Sequence, residues 1–120
     1  MAEVHGLLAR VALVLALVTA AWTVVLVAGR RPIRPALLGG FAWIVVLIAA
    51  TGLLGVVLGL TAGWPADPLH LVYGVLAAVT LPGAWALSRT RPDPRRTVLV
   101  LAVAAIVQVI LVVRLLQTGG

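Results

Sequence analysis

Long apolar runs alternate with short polar connections along the chain. Four runs match the length that a bilayer core of about 30 Å requires, which is about 20 helical residues. They cover Leu7–Ala28, Ala36–Leu60, Leu69–Leu87 and Thr97–Leu116. Because the runs are continuous and do not alternate polar with apolar positions, they predict helices and not barrel strands. We expect an all-α fold, a single integral-membrane four-helix up-down bundle over residues 1–120.

Charge in the connections predicts the topology. Seven of the nine arginines lie in the first and third connections, and the second connection has none. Short loops rich in Lys and Arg stay on the cytoplasmic side of a membrane. We therefore expect a multi-pass protein of the cell (cytoplasmic) membrane, with both termini outside and both arginine loops in the cytoplasm. The seven residues are Arg30, Arg31, Arg34, Arg89, Arg91, Arg95 and Arg96.

The composition also indicates an integral membrane protein. The chain is 63% hydrophobic and 10% charged, with a mean hydropathy of +1.23, whereas soluble domains are about 45–50% apolar and about 25% charged. The formal charge of +6 does not indicate nucleic-acid binding, because a basic footprint needs a soluble domain to carry it. The lipid bilayer is the expected partner, with arginines contacting anionic headgroups.

Several chemistries have no residues to support them. Cysteine is absent, which excludes disulfides, thiolate ligands and nucleophilic thiols. No serine-histidine-acid set, phosphate loop or carboxylate pair is visible, so no catalytic residue is assigned. The apolar stretch Val11–Ala28 exceeds the usual 7 to 15 residues of a signal-peptide core, and we expect a retained span.

The two hairpins form a weak parallel repeat. His5 begins the first span, which continues to Trp22, and His70 begins the third span, which continues to Trp85. Two hairpins inserted in the same orientation are related by a pseudo-twofold along the membrane normal. The two histidines then become near symmetry mates at the same outer level of the membrane.

Other polar residues are expected at the same depth as His5 and His70, in what we call the histidine layer. Polar residues inside a membrane are rare, so each one is a candidate functional residue. Small residues follow each histidine at helical spacing, and the second span carries a bare face of Gly52, Gly55 and Gly59. Close helix packing explains such faces, and the glycine face is also a candidate homodimer surface. The further polar residues of the layer are Arg10, Tyr73, Gln108, Arg114 and Gln117.

The two histidines are the candidate metal ligands. Diagonal helices of a four-helix bundle lie roughly 11 to 14 Å apart, a gap that suits two imidazoles meeting one metal at the centre of a flat macrocycle. Haem iron accepts axial histidine. This geometry predicts a haem site with His5 and His70 as ligands, Arg10 and Arg114 pairing with the propionates, and Tyr73 in the same layer. The alternative is that the two histidines are interfacial polar residues that share a layer by chance. Two histidines alone disfavour a closed zinc site, which usually needs four ligands.

Two stretches carry a family resemblance. Gly52–Leu60 and Asp67–Gly74 resemble one half of haem A synthase, a family built from two four-helix halves that each place haem-ligating histidines on the first and third helices. Some small members look like a single half that would pair with itself. The resemblance implies that His5 and His70 occupy the ligand positions. In the family an acid stands three residues before the first histidine and an arginine directly after it, whereas here Glu3 stands two before and Gly6 follows.

These departures, and the absence of the cysteine pair found in many members, favour haem binding over oxidative haem modification. The resulting hypothesis is a bis-histidine haem b protein that passes electrons to a quinone or a membrane redox partner, or a haem A synthase-like half module. The alternative is a cofactor-free accessory or scaffold subunit of a membrane complex. A small multidrug exporter is disfavoured because proton-coupled export needs an acid within the membrane, and Glu3, Asp67 and Asp93 all lie at span edges.

Overall fold

The computed structural model describes residues 2–91 and 93–119. These residues form four α-helices and no strand, and each helix is long and apolar enough to cross a membrane. The prediction of an all-α fold with four such helices is confirmed. The helices are α1 (Ala2–Ala28), α2 (Pro35–Ala62), α3 (Leu69–Ser88) and α4 (Pro94–Thr118).

Helices α1 and α4 begin several residues earlier than their apolar runs. Helix α1 begins at Ala2, so His5 lies inside its first turns and not ahead of it. Helix α4 begins at Pro94, where the Asp93 carboxylate accepts a hydrogen bond of 3.0 Å from the backbone N–H of Arg95. An N-cap carboxylate satisfies one of the free N–H groups at a helix start, which allows the helix to extend into polar sequence.

The start of α3 is stabilised by the residues that precede it. Pro68 occupies the N-cap position and Leu69 is the first helical residue. Pro68 already has helical angles, with φ −64° and ψ −20°. The Asp67 carboxylate accepts the N–H of Leu69 at 2.9 Å, which satisfies one of the N–H groups that a helix start leaves free.

Helix α1 ends in a turn that turns the chain into the first arginine loop. Arg30 has a φ of 53°, in the left-handed region where glycine is usual after a helix. Its N–H bonds to the carbonyl of Val27 at 3.2 Å, and the N–H of Arg31 bonds to that of Leu26 at 2.9 Å. This pair of bonds is a Schellman motif, which satisfies carbonyls that the helix end leaves free.

The helices pack so that α1 and α3 are diagonal. Helix α1 contacts α2 and α4, and α3 contacts α4 and, less extensively, α2. The first turns of α1 and α3 meet through His5 and His70, and the last turn of α4 joins them through Thr118. We call this the histidine end. The far ends of α1 and α3, with the connections that follow them and the first turn of α4, carry the seven arginines and form the arginine end.

Small side chains dominate the shared core of α1 and α4. Ala12 and Ala16 of α1 are fully buried, and Ala105 of α4 is 1% exposed. Large apolar side chains elsewhere face outward, as at Leu60, which is 74% exposed. Such a surface suits lipid, where apolar side chains need no protein cover. The long axis of 47 Å also matches a bilayer of about 40–45 Å including headgroups.

Candidate functional site

The structure brings His5 and His70 together at the histidine end. Their ring centroids are 6.3 Å apart and their planes are inclined by 61°. The two rings are not hydrogen-bonded to each other. Although their helices are diagonal and do not pack together, the two imidazoles meet across the end of the bundle in an edge-to-face arrangement.

His70 is held by the end of α4. Its Nδ1 atom lies 3.1 Å from Oγ1 of Thr118, and that hydroxyl donates its proton to the carbonyl of Arg114 at 2.8 Å. A threonine hydroxyl has one proton and two lone pairs. Thr118 therefore accepts from His70, which assigns the proton of the neutral ring to Nδ1. The lone pair of Nε2 is then available to a ligand, and the ring orientation is fixed.

His5 has no comparable hydrogen-bond partner. Its Nδ1 atom is buried and unpaired, although buried polar atoms are usually hydrogen-bonded. The ring lies against Gly55 of α2, where an added Cβ atom would come within 3.0 Å of its Cε1 atom. Gly55 therefore leaves room for the imidazole. A buried nitrogen without a partner marks a position where a water molecule or a bound group can supply the missing contact.

Glycine also makes room for His70. A Cβ atom at Gly119 would come within 2.7 Å of Cε1 of His70. Each imidazole thus lies against a glycine of a neighbouring helix or helix end, Gly55 for His5 and Gly119 for His70. Sequence reasoning missed both Thr118 and Gly119. The available signal was the hairpin itself, because an antiparallel α3–α4 pair brings the end of α4 beside the start of α3.

The predicted propionate partners lie on the outside of the bundle. Arg10 and Arg114 are exposed, and Nη1 of Arg114 donates to Oε1 of Gln117 at 3.4 Å. Tyr73 is half-buried and packs against the core, one turn along α3 from His70. Long arginine side chains near helix ends reach toward the headgroup region, so Arg10 and Arg114 remain candidates for binding acidic groups there.

Gln108 does not belong to the histidine layer, contrary to the sequence-based expectation. Its side chain is 1% exposed, and its Nε2 atom donates to the carbonyl of Ala77 at 3.2 Å. Ala77 is seven residues beyond His70, which places this contact about 10 Å deeper at a rise of 1.5 Å per residue. Gln108 therefore joins α4 to α3 in the core, with its Oε1 atom unpaired.

The glycine face of α2 is partly used within the chain. Gly55 lies against His5, and Gly59 is covered by the ring of Trp64, from which an added Cβ atom would be less than about 3 Å away. Gly63, with a φ of 105°, allows the chain to turn so that this indole folds back. Gly52 has no neighbour within 4 Å. The homodimer through this face stays a prediction, and Gly52 is its accessible part.

The chain supplies few ligands for a metal ion. Within residues 2–91 and 93–119, no group of three or more His, Cys, Asp or Glu side chains could hold one. His5 and His70 therefore offer two imidazole nitrogens and nothing further of that kind. A metal bound between them needs its remaining ligands from another source, as iron has from the four nitrogens of a porphyrin.

Comparisons with known proteins identify no relative. No protein-family model matches the chain, and the searches of curated proteins and of solved structures found no match either. The resemblance to half of haem A synthase is therefore untested and stays a prediction.

Proposed function

We propose that this protein is a membrane-embedded haem b-binding module in which His5 and His70 ligate the iron from opposite sides. The observation that carries the proposal is the 6.3 Å between the ring centroids. Two imidazoles on opposite sides of one metal ion, with metal–nitrogen bonds of about 2.0–2.1 Å, have centroids roughly 6 Å apart. Rotation of either ring about its metal bond leaves that distance unchanged, so the angle of 61° is compatible with it.

The surroundings of the two rings support the same assignment. Thr118 leaves Nε2 of His70 free to ligate, and metal-bound histidines usually donate the other ring N–H to such an acceptor. Both rings are partly buried at the end of an apolar bundle, and exposure to solvent is one of the properties that set the potential of a bound haem. Haem, when bound, supplies a one-electron centre. Arg10 and Arg114 would bind its propionates, and Tyr73 would flank it.

The proposal includes a topology and a partner. An up-down bundle with both termini outside would place the histidines near the outer surface and the arginine loops in the cytoplasm of a cell-membrane protein. A one-electron centre at that depth would exchange electrons with a quinone or a membrane redox partner. A homodimer that includes Gly52 would resemble the arrangement of a two-half haem A synthase.

Haem titration of the purified wild-type protein tests the proposal. We expect one haem b per chain and a sharp reduced-minus-oxidised absorption band of bis-histidine type. A monodisperse, helical preparation that binds no haem on titration would contradict the proposal. That result would favour a cofactor-free accessory or scaffold subunit, which the outward apolar surface of α2 also suits, because only 17% of its most apolar segment is buried.

Thr118→Val is expected to weaken haem binding and to shift the midpoint potential. Valine has nearly the same shape but cannot accept the Nδ1 proton of His70, and loss of such a partner typically costs about 10–100-fold in metal affinity. Haem titration and potentiometry measure the two effects. Thr118→Ser should restore both values. Thr80→Val removes a hydroxyl that bonds within its own helix and should change neither.

The Thr118 experiment separates positioning from general destabilisation. If Thr118 only stabilised the end of α4, its replacement by valine would lower thermal stability without moving the potential of the haem that remains. Equal potentials in Thr118→Val and wild type would therefore contradict the role of Thr118 as a positioning residue.

A further inference from the structure

The arginine end contains an open cleft between the end of α3 and the start of α4. Its volume is about 500 Å³, and it is lined by Trp85, Ser88, Arg89 and Thr97. The haem proposal does not involve these residues, which lie at the other end of the bundle. Both polar and apolar groups form the walls, and the cleft lies where two apolar spans meet the headgroup region.

Positive charge surrounds the cleft. The Arg89 guanidinium lies over the Trp85 ring, 5.8 Å from its centroid, and Nη1 of Arg96 donates to the carbonyl of Leu87 at 2.8 Å. The nearest acid in sequence, Asp93, is engaged by the backbone N–H of Arg95. An indole at this depth favours the membrane interface. The cleft therefore suits an anionic group at the lipid surface.

The hydroxyls in the cleft act as acceptors. Ser88 donates its proton to the carbonyl of Trp85 at 2.7 Å, and Thr97 donates to the carbonyl of Asp93 at 3.2 Å. Each hydroxyl has one proton and two lone pairs. With the protons committed to the backbone, these hydroxyls can only accept hydrogen bonds from a ligand that brings its own donors. An ammonium donor is disfavoured beside Arg89, because like charges repel, whereas a neutral hydroxyl is not.

We propose that this cleft binds an anionic phospholipid with a hydroxylated headgroup, of which phosphatidylglycerol is the simplest example. Arg89 donates to the phosphate, Trp85 packs against the glycerol backbone region, and the headgroup hydroxyls donate to Ser88 and Thr97. The acyl chains extend along the outward apolar surface of α3. Binding of this lipid requires both the guanidinium and the acceptor hydroxyls. This requirement distinguishes a specific lipid site from diffuse attraction between basic loops and an acidic membrane.

Native mass spectrometry of protein released from phosphatidylcholine bicelles containing phosphatidylglycerol tests the assignment. We expect wild-type protein to retain one phosphatidylglycerol and Arg89→Gln to retain about fivefold less, the factor expected of one arginine near an anionic surface. Arg91→Gln is the matched control, since it removes the same charge from the same loop but does not line the cleft. Arg89→Lys should retain an intermediate amount of phosphatidylglycerol, because lysine keeps the positive charge but lacks the planar guanidinium that can donate two parallel hydrogen bonds.

Competition between lipids tests the acceptor role of the hydroxyls. Phosphatidic acid has no headgroup hydroxyl and phosphatidylserine has an ammonium group, so both should be retained less than phosphatidylglycerol. Equal losses in Arg89→Gln and Arg91→Gln would overturn the site in favour of diffuse attraction. Equal retention of phosphatidic acid would overturn the headgroup assignment, and equally tight binding of soluble glycerol phosphate would show that the ligand is not a lipid.

Discussion

Replacing His70 with alanine is expected to remove haem from the protein. The change deletes one of the two proposed ligands, so haem affinity should fall by more than about 100-fold, beyond the 10–100-fold that loss of a ligand's hydrogen-bond partner costs. His5→Ala should have the same effect, because under the proposal each histidine would hold the iron through one ring nitrogen. Haem titration monitored by the reduced-minus-oxidised spectrum measures both.

Free imidazole should partly restore haem binding to His70→Ala. Alanine leaves a space of imidazole size that faces Thr118, and this hydroxyl can accept a hydrogen bond from an added ring as it does from His70. Thr61→Ala serves as the control, since it removes an exposed hydroxyl near the end of α2. Wild-type haem affinity in His70→Ala without added imidazole would refute ligation by His70.

The two histidine variants also separate the haem module from the scaffold subunit. On the scaffold hypothesis, either substitution at the membrane interface should leave expression, helicity and thermal stability unchanged. On the haem hypothesis, the haem-loaded wild-type protein should melt at a higher temperature than either variant, because a ligand that binds only the folded state stabilises it. Thermal melts with and without haem show whether the melting temperature depends on haem and on the two histidines.

Most of the fold could be predicted from the sequence because lipid imposes simple rules. Continuous apolar runs of span length indicate helices, since only helices and closed barrels satisfy their backbone groups in hydrocarbon. The ends of the helices were predicted less accurately. The first turn of α1 contains the polar residues Glu3 and His5, so hydropathy did not indicate it. The start of α4 at Pro94 depends on the hydrogen bond that caps the helix at Asp93, which hydropathy does not indicate either.

The site could be predicted only in part. The scarcity of polar residues drew attention to His5 and His70, and their positions in a repeated hairpin indicated a shared depth. The contact between His70 and Thr118 was not foreseen, because it depends on the tertiary approach of two helix ends. Gln108 was placed at the wrong depth, although counting residues back from the end of α4 at 1.5 Å each would have shown the error.

Gly55→Leu is expected to displace His5 and weaken haem binding by roughly 10–100-fold, in the range observed when the support of a metal ligand is lost. The added Cβ atom alone would lie 3.0 Å from Cε1 of His5, so a leucine side chain needs space that the imidazole now fills. Gly55→Ala should have a smaller effect, because a shift of a few tenths of an ångström relieves its single close contact. Haem titration of both variants measures the graded loss.

Gly52→Leu is the matched control for the Gly55 series. It places the same side chain on the same helix, but its Cβ atom would have no neighbour within 4 Å, so haem affinity should stay at the wild-type value. If the accessible part of the glycine face mediates dimerisation, Gly52→Leu should also reduce the dimer fraction, which light scattering in detergent measures. Equal haem affinities in Gly52→Leu and Gly55→Leu would contradict the role of Gly55, because of these two glycines only Gly55 lies against a proposed ligand.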